Sequence, residues 1–178
     1  VSHLSFTAKA GTTTALGGHS GSGKSTTASL IPRFYDVQQG AVKIGGVDIR
    51  EIPHADLMKM VAFVFQDPKL FKDTLLENIR AGRPSATRDE VLQAARLAQC
   101  DDILEKFPDG LDTVVGSKGV YLSGGETQRI AIARAILKDA PIVVLDEATA
   151  YADPENEQQI QKAFEGLVKG KTVIMIAH

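Results

Sequence analysis

From Gly18 the chain runs Gly18-His19-Ser20-Gly21-Ser22-Gly23-Lys24-Ser25, followed by Thr26. The spacing is G-x-x-x-x-G-K-[ST], a pattern that needs a strand before it and a helix after it to work as a phosphate cradle. Thr13–Leu16 is short and β-compatible, and residues 26–34 can form the helix. Glycine removes the Cβ atoms that would keep backbone N–H groups from turning inward onto phosphate oxygens. The first helical turn, from Thr26, adds its own N–H groups and the positive end of its dipole. In this pattern Lys24 reaches the β- and γ-phosphates, and the Ser25 hydroxyl ligates Mg²⁺.

The rest of the chain is expected to supply one α/β domain around that loop. Its 178 residues are enough for a sizeable core. A net charge of −2, from 20 basic and 22 acidic residues, argues against a broad nucleic-acid footprint. The single cysteine, Cys100, leaves no internal disulfide and fits a reducing compartment. No apolar run approaches the roughly 20 residues that span a bilayer. The chain lacks an initiator Met and stops after a strand-like run, so it reads as an excerpt of a longer polypeptide.

Four near-continuous apolar runs, Thr13–Leu16, Val61–Phe65, Ile142–Leu145 and Thr172–Ala177, read as parallel strands covered on both faces. Each runs into a chemically distinctive element: the glycine loop, Gln66, Asp146-Glu147 and His178. Ligands of open α/β sheets sit at the carboxyl ends of the strands, so four such ends point to one site. Residues 41–49, with Gly45-Gly46 inside, read as a β-hairpin. Between Gln66 and Pro141 the pattern turns helical. Thr87 with Glu90 is a capping box that opens a helix through about Ala98, and a second helix is expected from Ser123 to Leu137.

Asp146 ends its strand where it can hold Mg²⁺ as the acidic partner of Ser25. Glu147 follows, where it can orient and deprotonate a water. Leu122-Ser123-Gly124-Gly125-Glu126 is itself a capping box. A cap does not need two glycines in the first turn, each costing up to about 1 kcal/mol against Ala. They make sense if an anion approaches the backbone there.

The glycine loop, Gln66, Leu-Ser-Gly-Gly-Glu, Leu-Asp-Glu and His178 together resemble the nucleotide-binding domain of ATP-binding cassette (ABC) transporters. The likeness covers essentially the whole chain. Residues 70–79 and 112–116 are similar to the exporter-type subfamily. The resemblance implies a P-loop NTPase core with a mostly parallel sheet flanked by helices and an antiparallel hairpin region, formed by residues 1–66 and 139–178. Residues 67–138 would be an inserted α-helical subdomain. It implies that ATP is held by Gly18–Thr26 and hydrolysed with Mg²⁺ bound through Ser25, Gln66 and Asp146. Glu147 would be the base, His178 the residue on the γ-phosphate, and Gln66 the contact to metal and water. Ser123, Gly124, Gly125 and Glu126 would close over ATP held by a second cassette, with Asp153 at the dimer interface. Transmembrane domains would dock in a groove near Gln66 and Phe71, on the cytoplasmic face of a cell inner or plasma membrane, and no nucleic-acid partner is expected.

Some positions depart from the family pattern. Gly17 replaces an aliphatic residue, Ala150-Tyr151-Ala152-Asp153 replaces Ser-Ala-Leu-Asp, and Ser117 stands where Glu is common. The adenine-stacking aromatic would lie upstream of Val1. Two other readings compete: a non-transport ATPase acting on the ribosome or chromosome, and a non-catalytic nucleotide-gated dimerisation module. Too few residues separate Gln66 from Ser123 for the long coiled coil of chromosomal relatives, and Glu147 argues against a non-catalytic site. Nothing in this stretch names a transported substrate, the direction of transport, or whether the partner cassette is identical.

Overall fold

The computed structural model describes residues 4–17, 23–65, 67–116, 118–146 and 154–176. In chain order its elements are β1 (Thr13–Leu16), α1 (Lys24–Leu30), β2 (Lys43–Ile44), β3 (Val47–Asp48), α2 (His54–Met60), β4 (Val61–Val64), α3 (Leu75–Arg80), α4 (Arg88–Leu97), α5 (Asp101–Lys106), α6 (Gly124–Lys138), β5 (Ile142–Asp146), α7 (Pro154–Val168) and β6 (Thr172–Ile176). They form two compact units. One takes in residues 1–65, 140–147 and 170–178, the other residues 66–139 and 148–169.

The first unit is built on a four-stranded sheet of order β1-β6-β5-β4, parallel throughout. Val143, Val144 and Leu145 are consecutive and all buried, so β5 is covered on both faces, as its unbroken apolar run predicts. Ala28 of α1, Leu57 of α2 and Ile49 pack against Val61, Val144, Ile174 and Ile176 to form one side of that cover. β1 departs from the expectation of full cover. Its residues alternate between exposed and half-buried, so one of its faces is left uncovered, unlike β4 at the opposite edge, which is mostly buried. The hairpin forms as β2 and β3, turning at Gly45-Gly46. The helix after the glycine loop begins at Lys24, two residues earlier than its sequence pattern indicates, and ends at Leu30.

The second unit is helical and centres on α6, against which α3, α4 and α7 pack. The division expected from sequence left residues 154–168 with the core segments. By contacts, α7 groups with the helical unit because it lies along α6. α4 opens with the expected capping box: Thr87 N–H donates to the Glu90 carboxylate at 3.0 Å, and Glu90 N–H donates to the Thr87 hydroxyl at 3.2 Å. That backbone bond and the Arg83 guanidinium hold the Glu90 carboxyl at about 2. Cys100 is buried, and burial pushes its thiol up to about 12, so it is an unreactive core residue.

Asn78 fastens the loop before α3. It is fully buried, and its amide accepts from Phe71 N–H at 3.0 Å and donates to the carbonyls of Phe71 and Thr74 at 3.0 and 2.9 Å. Arg134 of α6 donates from Nε to the Asn78 carbonyl at 2.8 Å. Phe71 itself is half-exposed, with the Arg134 guanidinium 5.5 Å from its ring centroid, so it is not a core residue. Asn78→Ala removes the only side chain that reaches all three backbone groups. Losing those bonds and leaving the Phe71 N–H unpaired is expected to cost about 2–4 kcal/mol. Chemical denaturation of the variant checks this through the unfolding midpoint at unchanged m-value.

Candidate nucleotide site

The site begins with hydrogen-bond register. In the first unit Leu16 pairs with Ile176, Ile176 with Asp146, and Leu145 with Val64. The carboxyl ends of all four strands therefore lie side by side. These are the ends that lead in sequence into the glycine loop, Ala177-His178, Glu147 and Gln66. Gly18, His19, Ser20, Gly21, Ser22, Gln66, Glu147, Asp153 and His178 lie outside the described residues.

The end of the glycine loop is described. Gly23 caps α1 at φ 90° and ψ 13°, a left-handed conformation that a residue with a Cβ adopts only at a cost. The Thr27 hydroxyl donates to the Gly23 carbonyl at 2.8 Å. Lys24 is only 8% exposed, an unusual degree of burial for a lysine on a first helical turn. Ser25 follows it in that turn, and Thr26 is exposed. A strand before the motif and a helix at its end thus occur in the order the motif requires. Asp146 closes β5 and is half-buried. Among the described residues no three His, Cys, Asp or Glu side chains gather as a metal cage. Of the metal ligands expected from sequence, Asp146 is described at the end of β5, and Gln66 lies outside the described residues.

The second glycine motif sits at the start of α6. Ser123 and Glu126 form the expected capping box: the Ser123 hydroxyl accepts from Glu126 N–H at 3.1 Å, and the Glu126 carboxylate accepts from Ser123 N–H at 2.9 Å. Two features were not legible in the sequence. Lys106 of α5 places its Nζ 3.4 and 3.3 Å from the two Glu126 oxygens. Burial pushes the Glu126 carboxyl up, but the Ser123 N–H and the Lys106 ammonium outweigh it and hold it below its ordinary value. Gly125 also has a reason to be glycine inside the chain, since a Cβ there would stand 3.0 Å from Asn156 Cγ and 3.2 Å from its Cβ, on α7. Close packing against α7 is therefore reason enough for glycine at position 125, without an incoming anion.

Arg129, one turn further along α6, explains how the motif is held. Its guanidinium is 1% exposed, and it bonds Asp102 through two nitrogens at 2.6 and 3.0 Å, the Gln99 carbonyl, and Asn156 at 3.4 Å. The ends of α4, α5 and α7 thereby converge on the first two turns of α6. Arg129, Asp102, Asn156 and Lys106 were missed because they are far apart in the chain and none sits in a motif.

Comparison with known proteins settles the family. A family profile described as ABC transporter matches residues 1–150. The chain belongs to the ABC transporter family. It is 52% identical over 175 residues to the ATP-dependent lipid A-core flippase of Legionella pneumophila (strain Paris), covering 98% of this chain and 30% of that protein. Against the ATP-dependent lipid A-core flippase of Vibrio cholerae it is 49% identical, covering 100% of this chain and 31% of that protein. Against ABC transporter B family member 4 of Dictyostelium discoideum it is 48% identical, covering 98% and 23%. The chain spans about a third or less of each of these relatives. Within the ABC transporter family it is the ATPase domain, of the exporter type. Its α/β fold, with the parallel sheet, the hairpin and the flanking helices, is the one that membership implies.

The cap of the ABC signature helix is open to a direct measurement. Ser123→Ala removes one acceptor for an orphan helix N–H and is expected to lower stability by about 1 kcal/mol, whereas Ser123→Asp keeps a good cap and should stay near wild type. Paired thermal or urea unfolding curves check this order.

Proposed function

We propose that this domain binds ATP with Mg²⁺, dimerises with a second cassette around two ATP molecules, and hydrolyses them to drive substrate movement by associated transmembrane domains. The observation that carries this reading is the row of parallel strand ends, in register, from which the glycine loop, Gln66, Asp146-Glu147 and His178 follow. Lys24 would hold the β- and γ-phosphates together with the backbone N–H groups from Gly18 to Thr26. Ser25, Gln66 and Asp146 would hold Mg²⁺, which neutralises phosphate charge when bound. Glu147 would orient a water and take its proton, with His178 on the γ-phosphate. Ser123, Gly124 and Gly125 would contact ATP held by the partner cassette, and Asp153 would lie at the dimer interface. In this reading the sequence divides into an ATPase core of residues 1–66 and 139–178 and a helical signature segment over 67–138, although by contacts α7 groups with the helical unit.

Among the described residues no helix is long and apolar enough to cross a membrane. Transmembrane partners would come from the rest of the polypeptide or from another chain, docking near Gln66 and Phe71 and placing the domain at the cytoplasmic face of a membrane. The cargo is not set here. Near-equal identity links the chain to proteins named lipid A-core flippase, ABC transporter B family member 4 and, at 51%, ABC transporter aclQ of Aspergillus oryzae. So similar a cassette under such different names is what a common motor would give.

Glu147→Gln in the full-length protein should retain ATP binding and lose about 10²- to 10⁴-fold in steady-state turnover, the usual contribution of a general base. Near-normal turnover would reject Glu147 in that role. Phe71→Ala should uncouple transport from hydrolysis while shifting the melting temperature little, since a half-exposed ring gives up little buried area. Transport per ATP, measured in vesicles beside a melting curve, separates this from a loss of fold.

A further inference from the structure

Two ion pairs of opposite sense join α5 to the start of α6. Asp102, early in α5, takes Arg129 of α6, and Lys106, at the end of α5, takes Glu126. Each partner lies about one turn from the other on its own helix, so the pairs sit side by side. Both pairs join a nearly buried side chain to an open one: Arg129 is 1% and Asp102 61% exposed, Glu126 11% and Lys106 54%. The difference lies in the further bonds. Arg129 is also tied to the Gln99 carbonyl and to Asn156, whereas Lys106 reaches α6 through its carboxylate partner. An ion pair with one open partner adds little to stability by itself. What it does change is charge.

Glu126 is useful to α6 as a carboxylate, because it caps Ser123 N–H and suits the positive helix end. The same carboxylate is a handicap if the turn must also meet a polyphosphate, since like charges repel. We propose that Lys106 is a charge-compensating residue of the signature turn, neutralising Glu126 so that Ser123–Gly125 can receive the phosphates of ATP. The inference rests on the reading of that turn as a phosphate contact. Lys106 acts through Glu126 and needs no contact with the nucleotide.

The test uses the full-length protein and Mg-ATP, with hydrolysis followed against ATP concentration at low and high ionic strength. Lys106→Gln should raise KM about two- to fivefold at low salt, the range of a partly exposed pair, with kcat and melting temperature unchanged. The shift should fade at high salt. Adding Glu126→Gln to Lys106→Gln should return KM to near wild type, since the neutral amide leaves no charge to compensate. An unchanged KM at low salt overturns the proposal. So does a raised KM that Glu126→Gln does not rescue, or one that comes with a lower melting temperature, since either marks a packing role. Ser123→Asp, which keeps the cap, separates the two readings. If it abolishes hydrolysis while Lys106→Gln changes nothing, the inference fails and the phosphate contact stands. Normal hydrolysis in Ser123→Asp means that the phosphate contact itself is wrong.

Discussion

The parallel register of β5 between β4 and β6 is the constraint on which the site depends. β5, like β6, has a ladder on either side, and its consecutive buried valines and leucine leave it no polar face to present to water. Parallel strands of this kind fix where each chain segment emerges. With Asp146 opposite Ile176, and Leu145 opposite Val64, the acidic pair, the terminal histidine and Gln66 all follow from neighbouring strand ends. A slip of one residue would reverse the facing of every side chain in β5 and carry Asp146 away from that row.

The helical unit solves a different problem. Its central helix, α6, is fixed among α3, α4 and α7. It is held by polar bonds as well as by the burial of Ile130, Ile132 and Leu137. Arg134 fastens the helix to Asn78 and the loop bearing Phe71, and Arg129 gathers Gln99, Asp102 and Asn156. Buried guanidinium groups suit this task because they offer several donors in a fixed plane, so one side chain joins three elements. For Arg129 the cost of burial is offset by short bonds to Asp102 and Gln99, although its Nε has no partner among the described residues, and loss of Asp102 would strand a buried charge.

Charge placement follows the same economy. Glu90 and Glu126 cap α4 and α6 and each is matched by a cation from another segment, Arg83 and Lys106. At α4 the pair tightens a local turn. At α6 it sets a cation from α5 beside the carboxylate of the helix start.

Much of this protein was determined locally and could be read directly. The glycine loop, the capping boxes at Thr87 and Ser123, the Gly45-Gly46 hairpin and the three covered strands depend on neighbours a few residues apart, and for such features spacing is the physics. Composition could say that a core was possible, not which strand would lie at its edge. β1 looked like its companions in sequence, yet one of its faces is left uncovered while β4, at the other edge, is covered. The pairing of Lys106 with Glu126, the closeness of Asn156 to Gly125, and the use of buried Arg129 and half-buried Arg134 as connectors were decided by tertiary structure. Each joins residues about 20 or more positions apart, and no local energy term favours one distant partner over another until the helices have packed.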